Sequence, residues 1–308
     1  MNLDHAEQLS IVLVVEACLG YPDALYRQIR HPVVWIGNFI SACERKWNTR
    51  VSQRDYVKGV LLLLLVMLIV GAAAWLGELL AECTSIVIAL LIATTGVAQR
   101  SLYTHVAAVL APLETGDIEG ARANVSRIVG RDTALLDESG IATAATESLA
   151  ESFCDGVIAP AFWLLVAGLP GLFIYKSVNT ADSLIGHRDA RYRAFGWAAA
   201  RTDDVMNLIP ARIAGLFLCL ARFRGFRTMW RDASKHASPN AGWSEAAMAG
   251  ALGVQLGGSV SYEGETAWRP TFGDGPKPGA GDLSRALQVY LSACLILWLL
   301  VGAAAWLR

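Results

Sequence analysis

The chain has 308 residues, of which 54% are hydrophobic and 17% charged, and its 26 basic and 27 acidic side chains give a net charge of −1. Soluble domains carry about 25% charged residues, so this composition argues against an ordinary soluble domain. The lack of a basic excess also argues against nucleic acid as a partner. The six cysteines form no CxxC pair, which indicates reduced, packed thiols rather than a disulfide or zinc framework.

Apolar stretches along the chain indicate membrane spans. A first helix is predicted over residues 9–19, as a candidate N-terminal membrane helix that carries Glu16. Further stretches approach the roughly 20 residues that cross a bilayer, and we expect spans near residues 57–80, 83–99, 157–175, 205–221 and 286–307. The fourth of these contains Asn207, Pro210 and Arg212, all of which are costly in lipid.

The stretch at 157–175 is interrupted by Gly168-Leu-Pro-Gly171. Two glycines and a proline at its centre favour a re-entrant helical hairpin as much as a straight span. The basic segment 45–58 precedes the first clear span, and the segment 78–83 that follows it carries only acidic charges. The positive-inside rule therefore places 45–58 in the cytoplasm, and the Lys- and Arg-rich region 176–204 is expected on the same side.

Two long polar regions lie between the spans, at residues 100–156 and 222–285, and the first reads mostly as helix. Together these features predict an all-α fold, a polytopic integral membrane helical bundle with long helical cytoplasmic loops. We expect one membrane-embedded domain over residues 1–308, with membrane lipid as a partner.

Acidic side chains recur between Arg131 and Lys176, a stretch that contains no Lys or Arg. Glu147, Glu151 and Asp155 lie four residues apart, which places them on one face of a helix. Like charges at this spacing repel each other, so the row needs a counterion from elsewhere. Either the row is a solvated face paired with distant arginines, or it holds Mg²⁺ together with substrate phosphates, as one or two carboxylates commonly do.

A second group of charges follows the acidic row. Its arginines present forks that match phosphate or carboxylate, although basic residues beside a span are also an ordinary sign of cytoplasmic topology. The asparagines and aspartates mixed among them go beyond what topology requires. The group comprises Asn179, Asp182, Arg188, Arg191, Arg193, Arg201, Asp203, Asp204 and Asn207.

The third constellation is the segment from His236 to Glu245, HASPNAGWSE. Ser238 followed by Pro239 is a fair helix start, and the exposed amides of a helix start bind anions. A capped helix end with Trp243 packed against it explains the same pattern. The sequence contains no P-loop, HExxH, GxSxG or GxGxxG motif.

These three constellations coincide with stretches in which the chain resembles the adenosylcobinamide-phosphate synthase (CobD/CbiB) family of cobalamin biosynthesis. The matching stretches are His31–Gly37 (HPVVWIG), Val125–Thr133 (VSRIVGRDT), Glu147–Glu151 (ESLAE), Asp155–Pro160 (DGVIAP), Val178–Ser183 (VNTADS), Arg191–Arg201 (RYRAFGWAAAR), Asp204, Asn207, Ile209–Arg212 (IPAR) and Lys235–Gly253 (KHASPNAGWSEAAMAGALG). Three positions depart from the family's pattern: Tyr21 stands where Asp is usual, Ser152 where Asn is usual and His187 where Tyr is usual.

The resemblance implies an enzyme, an ATP-dependent ligase of cobalamin biosynthesis. Such an enzyme joins (R)-1-amino-2-propanol, or its O-phosphate, to the propionate carboxylate of adenosylcobyric acid, and adenosylcobinamide or its phosphate is formed. The resemblance further implies ATP as cosubstrate, Mg²⁺ as cofactor and other corrin-pathway proteins as partners. We expect the active site on the cytoplasmic side of the inner cell membrane.

The resemblance and the residue types together assign roles within this site. Mg²⁺ is expected on Glu147, Glu151 and Asp155, and proton transfer from the incoming ammonium is expected at Asp203, Asp204 or His236. Substrates and their phosphates are expected to bind at Asn179, Asp182, Arg188, Arg191, Arg193, Arg201, Asn207, Asn240 and Trp243. Trp197 is a further candidate for stacking on the flat corrin.

Two other function classes fit parts of the sequence. A membrane transporter would account for broken apolar segments and for Glu16 and Arg212 within them, but transporters seldom place so many residues in charged loops between few spans. A non-catalytic membrane scaffold for corrin enzymes is the other alternative. Product formation by the purified protein distinguishes the ligase from both.

Overall fold

A computed structural model describes residues 3–22, 27–48, 54–262 and 265–307. Part of the basic segment 45–58, residues 49–53, lies outside the described residues. The chain divides into two compact units, residues 1–98, 159–207 and 301–308 in the first and residues 99–158 and 208–300 in the second. The sequence pattern does not reveal this division, and the expected single domain stays a prediction.

Helices make up most of the described chain, which confirms the all-α fold class. In chain order the elements are α1 (His5–Leu19), α2 (Pro32–Trp47), α3 (Arg54–Cys83), α4 (Ile86–Thr94), α5 (Gln99–Glu114), α6 (Ile118–Val125), α7 (Glu138–Phe153), a π-helix (Cys154–Ile158), α8 (Ala159–Ile185), α9 (Trp197–Met206), α10 (Leu208–Leu220), α11 (Phe226–Asp232), a 3₁₀ turn (Ala233–Lys235), α12 (Ala241–Leu252), β1 (Leu256–Tyr262), β2 (Glu265–Phe272) and α13 (Ala280–Trp306).

Local signals in the sequence set several helix starts. Asp4 caps α1 by accepting hydrogen bonds from two backbone N–H groups of the first turn, and Glu7 accepts one from the Asp4 N–H. This capping box satisfies donors that have no partner within the helix. His31 caps α2 by accepting from the Val33 N–H, with Pro32 at the first helical position. Part of the family resemblance around His31 is therefore a helix-start signal.

The described residues include four helical runs that are long and apolar enough to cross a membrane, which confirms the predicted membrane-protein character. They are Arg54–Ala81, Ile86–Glu114, Glu138–Ile185 and Ala280–Trp306. The predicted spans near 57–80, 157–175 and 286–307 correspond to the first, third and fourth of these runs.

Two predicted spans need correction. The predicted span at 83–99 covers α4 and the non-helical residues 95–98 that follow it, whereas the apolar run extends over Ile86–Glu114 and includes α5. In place of a span at 205–221, Asn207 separates α9 from α10, which has only 13 residues. At about 1.5 Å per residue α10 is roughly 20 Å long, too short to cross a hydrocarbon core of about 30 Å by itself. The predicted N-terminal membrane helix forms α1, which has 15 residues and is not among the four runs.

The predicted interruption near Gly168 is confirmed. Within α8 the helical geometry fails at Ala167 (φ −139°, ψ 24°) and at Gly168 (φ 60°, ψ −155°). Pro170, two residues after Gly168, supplies no backbone N–H. The Nδ1 atom of His5 in α1 lies 3.1 Å from the carbonyl oxygen of Leu165, so α1 provides a partner for a carbonyl beside the break. A re-entrant path through this segment stays a prediction.

The second unit is built around α12, in which every residue from Ser244 to Leu252 is buried. A Cβ added to Gly250 would lie 2.7 Å from the Cα of Gly225, so α11 and α12 pack backbone against backbone. The strands β1 and β2 form an antiparallel hairpin with a bulge between Leu256 and Gly258. This hairpin lies within the polar region 222–285, for which no strand was predicted.

We expect Gly168→Ala to lower the free energy of unfolding by about 1–3 kcal/mol, because its backbone region is essentially restricted to glycine. The added Cβ would also lie 2.6 Å from Glu78 Oε1. Thermal unfolding of detergent-purified protein, followed by circular dichroism, measures the effect. Gly77→Ala is the control: this glycine is helical, its added Cβ would lie 3.9 Å from Leu169, and its stability should stay the same or rise slightly. Equal stability of Gly168→Ala and wild type would contradict a strained break.

Candidate functional site

The second unit contains a group of buried and half-buried ionisable side chains, here called the charge cluster: Arg131, Glu147, His236, Glu245 and Arg269. Five separate parts of the chain contribute to it. Arg131 precedes α7, Glu147 lies in α7, His236 follows the 3₁₀ turn, Glu245 lies in α12 and Arg269 lies in β2. Burial of so many charges is costly unless they pair with one another, so their mutual contacts decide what the cluster can do.

Glu147 is buried and both of its carboxylate oxygens are engaged. Oε1 accepts a 2.7 Å hydrogen bond from the Gly257 N–H, and Oε2 accepts a 3.2 Å bond from Arg269 Nη1. The guanidinium of Arg131 donates to the same Oε2 and forms a second ion pair. Two arginines therefore supply the counterions that the sequence pattern required for this end of the acidic row.

Glu245 is fully buried and only partly paired. Its Oε1 accepts a 3.0 Å hydrogen bond from Arg269 Nη2, whereas its Oε2 has no hydrogen-bond partner among the described residues. Burial raises the pKa of the Glu245 carboxyl well above its usual value; nearby Arg269 opposes the rise, and the charges of Glu147 and Glu151 add to it. A buried carboxyl with a raised pKa and an open oxygen is suited to proton transfer.

His236 lies beside Glu245 and is half-buried. Its Nδ1 accepts a 2.9 Å hydrogen bond from the Ser238 N–H, and Arg269 Nη2 lies 3.4 Å from the other ring nitrogen, Nε2. That nitrogen is 3.8 Å from Glu245 Oε1, and the ring stacks against Phe272 at 6.3 Å between centroids. The Ser238 N–H and the Phe272 ring therefore fix the orientation of the imidazole.

The other two acids of the row have different surroundings from Glu147. Glu151 is exposed at the end of α7, and Asp155 is half-buried within the π-helix that follows. Across the described ranges, no three His, Cys, Asp or Glu side chains converge as a metal site. A π-helical turn widens the backbone, so a uniform four-residue stripe of ligands is not what the chain presents here. The assignment of Mg²⁺ to these residues stays a prediction.

Asn240 and Trp243 are brought together with Arg212, which was not among the predicted site residues. Arg212 Nη1 donates a 2.9 Å hydrogen bond to Asn240 Oδ1. The same guanidinium lies over the Trp243 ring, 4.7 Å from its centroid, and Trp230 meets Trp243 edge-on at 4.9 Å. These contacts hold Asn240 and Trp243 in fixed positions.

In the first unit, Asp203 is the centre of a buried polar network. Its Oδ1 accepts from Asn179 Nδ2 at 3.2 Å and its Oδ2 from Asn207 Nδ2 at 3.0 Å, while Tyr175 donates to Asn207 Oδ1 at 3.1 Å. Burial raises the pKa of Asp203, and the two amide hydrogen bonds oppose that rise. The structure thus joins three residues that the sequence placed in one candidate site, from α8, α9 and the residue after α9.

The predicted phosphate-binding arginines also belong to the first unit. Arg188, Arg191 and Arg193 are exposed on the segment between α8 and α9. Arg191 forms a 2.8 Å ion pair with Glu44, which raises its pKa. In α9, Arg201 pairs with Asp204 at 3.1 Å. Asp182 is half-buried near the end of α8 and Trp197 is exposed at the start of α9.

The predicted site residues therefore fall into different units. Residues 147–155, His236, Asn240 and Trp243 lie in the second unit, whereas residues 179–207 lie in the first. Sequence reasoning did not select Arg131, Glu245 and Arg269. Arg131 and Glu245 lie inside the quoted family stretches, and that signal could have identified them. Arg269 lies in a strand that was not predicted, so only tertiary packing identifies it.

Comparisons with known proteins identify the same family as the matching sequence stretches do. The family model described as CobD/Cbib protein matches residues 9–290. The chain is 48% identical over 309 residues to the cobalamin biosynthesis protein CobD of Rhodobacter capsulatus, with 98% of each chain covered. It is 44% identical over 313 residues to the protein of the same name from Brucella anthropi and 41% identical over 314 residues to that from Rhizobium meliloti, with 96% of each chain covered. No solved structure matches.

We expect Arg269→Gln to lower the free energy of unfolding by about 3–5 kcal/mol, because it leaves Glu147 and Glu245 buried with less positive charge. Chemical unfolding in detergent, followed by tryptophan fluorescence, measures the loss. Arg201→Gln is the control, since it removes an exposed pair with Asp204 and should change stability by less than about 1 kcal/mol. Adding Glu245→Gln to Arg269→Gln should recover part of the loss. A change no larger than that of the control would refute an electrostatic role for Arg269.

Proposed function

The chain belongs to the CobD/Cbib family, and from this membership we propose that it is a membrane-bound ligase that attaches an aminopropanol unit to adenosylcobyric acid. Its role is in cobalamin biosynthesis, and its substrates are of the corrin type. The proposal specifies ATP-dependent amide formation at the propionate carboxylate, with (R)-1-amino-2-propanol or its O-phosphate as the amine. The observation that carries this proposal is the charge cluster, a set of buried acids, arginines and a histidine drawn largely from the family stretches.

The reaction needs an activated carboxylate, because an ionised carboxylate does not accept an amine. In the proposed course, a propionate oxygen attacks the γ-phosphorus of ATP, ADP leaves and an acyl phosphate forms. The neutral amine then attacks the acyl carbon, and inorganic phosphate leaves as the amide bond forms. Phosphoryl transfer depends chiefly on positioning and on neutralisation of charge, which are tasks that arginines and carboxylate-bound cations perform.

The exposed arginines of the first unit suit the recognition of the phosphates. Arg188, Arg191 and Arg193 are exposed on one segment, and an ion pair with Glu44 orients the guanidinium of Arg191. An arginine fork held by a carboxylate keeps further N–H donors for phosphate oxygens. Arg201 is exposed beside Asp204 in the same unit and completes the proposed anion-binding group.

The donor set of the acidic row fits Mg²⁺ in one particular way. The oxygens of Glu147 are occupied by two arginines and a backbone N–H, whereas Glu151 is exposed and Asp155 is half-buried. Mg²⁺ is commonly held by one or two carboxylates plus substrate phosphates. We therefore propose Glu151 and Asp155 as the ligands, with Glu147 holding the arginines in place; the ion would neutralise phosphate charge.

Proton transfer from the incoming ammonium is best supported at the charge cluster. Both ring nitrogens of His236 face protein donors, Nδ1 the Ser238 N–H and Nε2 the Arg269 Nη2 group, so neither is readily available to accept a proton. Glu245 carries the open oxygen and the raised pKa. We propose that Glu245 accepts the proton and that His236 orients Glu245. Asp203 and Asp204 stay predictions for the same step.

The direct test is turnover by purified protein in detergent, supplied with adenosylcobyric acid, Mg²⁺-ATP and either free aminopropanol or its phosphate. The expected result is an amide product detected by mass spectrometry, with one ADP released per product. The two amine arms identify the substrate form. A transporter or a scaffold would form no product, so failure with both amines, in protein that is folded and binds the corrin, would overturn the ligase.

We expect Glu151→Gln and Asp155→Asn each to lower turnover about 10–100-fold and to raise the Mg²⁺ concentration needed for half-maximal rate. The reason is that each removes a charged ligand from the proposed ion. Turnover measured across a Mg²⁺ titration separates this effect from a general loss of activity. Glu119→Gln, an exposed acid of α6 that pairs with Arg122, is the matched control and should behave as wild type. Unchanged Mg²⁺ dependence in both variants would eliminate the metal assignment.

A further inference from the structure

A second candidate site lies within the second unit, apart from the residues of the charge cluster. It is a cavity of about 360 Å³ between α11, the end of α12 and the loop after β2. Its wall includes the side chains of Arg224, Arg227, Thr228 and Asp274 and several glycines. No role has been given above to any of these side chains.

Glycine leaves room for an arginine at the wall of this cavity. Gly253 ends α12 with φ 73°, and a Cβ added there would lie 2.8 Å from Arg224 Nη2 and 3.3 Å from its Cζ. The guanidinium of Arg224 therefore lies directly against the glycine, in space that any other residue would occupy. Glycine at this position permits both the left-handed backbone and the approach of the charge.

The charges around the cavity are unevenly paired. Arg231 pairs with Asp232 at 2.7 Å and also with Asp274, and Lys235 pairs with Asp232 at 2.7 Å. These hydrogen bonds, chiefly that from Arg231, hold the pKa of Asp232 well below its usual value. The two cations and two acids of this network balance one another, so Asp274 lines the cavity as an already neutralised charge.

Arg224 and Arg227 stand outside that network. Neither side chain makes a hydrogen bond or an ion pair with any residue that the structure describes, and the hydroxyl of Thr228, which also lines the cavity, has no described partner either. Two unpaired guanidinium groups and a hydroxyl facing one cavity are donors without acceptors. Arginine forks and hydroxyls are the groups that proteins use to bind phosphate oxygens.

We propose that this cavity binds a phosphate group, held by Arg224, Arg227 and the hydroxyl of Thr228. A cavity of this size holds a small phosphomonoester or the phosphate end of a larger molecule, so aminopropanol phosphate, ATP and an anionic lipid headgroup share the required chemistry. Anion binding here is independent of the ligase reaction. Its assignment to a substrate rests on the proposed function.

The test is a ³¹P NMR titration of purified protein in neutral detergent with inorganic phosphate, aminopropanol phosphate and ATP, in separate arms. A fourth arm measures binding to nanodiscs that contain phosphatidylglycerol or only phosphatidylcholine. We expect Arg224→Gln and Arg227→Gln each to weaken phosphate binding about tenfold, because each removes a charge-assisted hydrogen bond. The arm in which the double variant loses binding identifies the source of the phosphate.

Arg222→Gln is the matched control. Arg222 is an exposed arginine of the same segment that does not line the cavity, so its variant should bind as wild type does. Thermal unfolding verifies that all variants are folded. Equal binding by the double variant and wild type in every arm, or an equal loss in Arg222→Gln, would overturn the site. If the double variant loses phosphate binding but wild-type protein shows no ligase turnover, the binding site stands and the proposed reaction fails. If wild-type protein shows turnover but the double variant binds phosphate as wild type does, only the binding site fails.

Discussion

The second unit depends on the neutralisation of two buried carboxylates by two arginines. Glu147 and Glu245 are almost entirely removed from water, and an uncompensated charge in such surroundings costs several kcal/mol. Arg269 contacts both acids, at 3.2 Å and 3.0 Å, and thereby ties α7 and α12 to the β-hairpin. The hairpin therefore stabilises the unit, because its strand β2 carries the arginine that neutralises both buried acids. Arg131 completes the pairing at Glu147.

The neutralisation is incomplete at one oxygen atom of Glu245, and this atom is the candidate for proton transfer. Glu245 Oε2 is buried without a described partner, whereas a purely structural ion pair would have both oxygens satisfied. His236 is locked beside it by the Ser238 N–H. Burial destabilises the anion of such a carboxyl and raises its pKa, and raised carboxyl pKa values are common among proton-transfer groups in enzymes.

The sequence predicted most of the apolar helices, but it did not predict where each of them begins, ends or breaks. Apolar run length predicted the spans that became Arg54–Ala81 and Ala280–Trp306, because a bilayer sets that length. The break at Gly168 was likewise legible, since glycine and proline have distinctive backbones. The split of the stretch 205–221 at Asn207 and the extension of the second run to Glu114 depend on packing partners, which a hydropathy pattern does not contain.

The sequence by itself determined the membrane character, the all-α class and, through its long motifs, the family. It also proposed Glu147, Asp203 and His236 as site residues, whose charged or polar groups need partners when they are buried; their roles in a site stay predictions. Only the tertiary structure decided who those partners are: Arg269 for Glu147, and Asn179 with Asn207 for Asp203. The physical reason is that charge pairing acts through space, at about 3 Å, between residues that lie as far apart in the chain as α7 and β2.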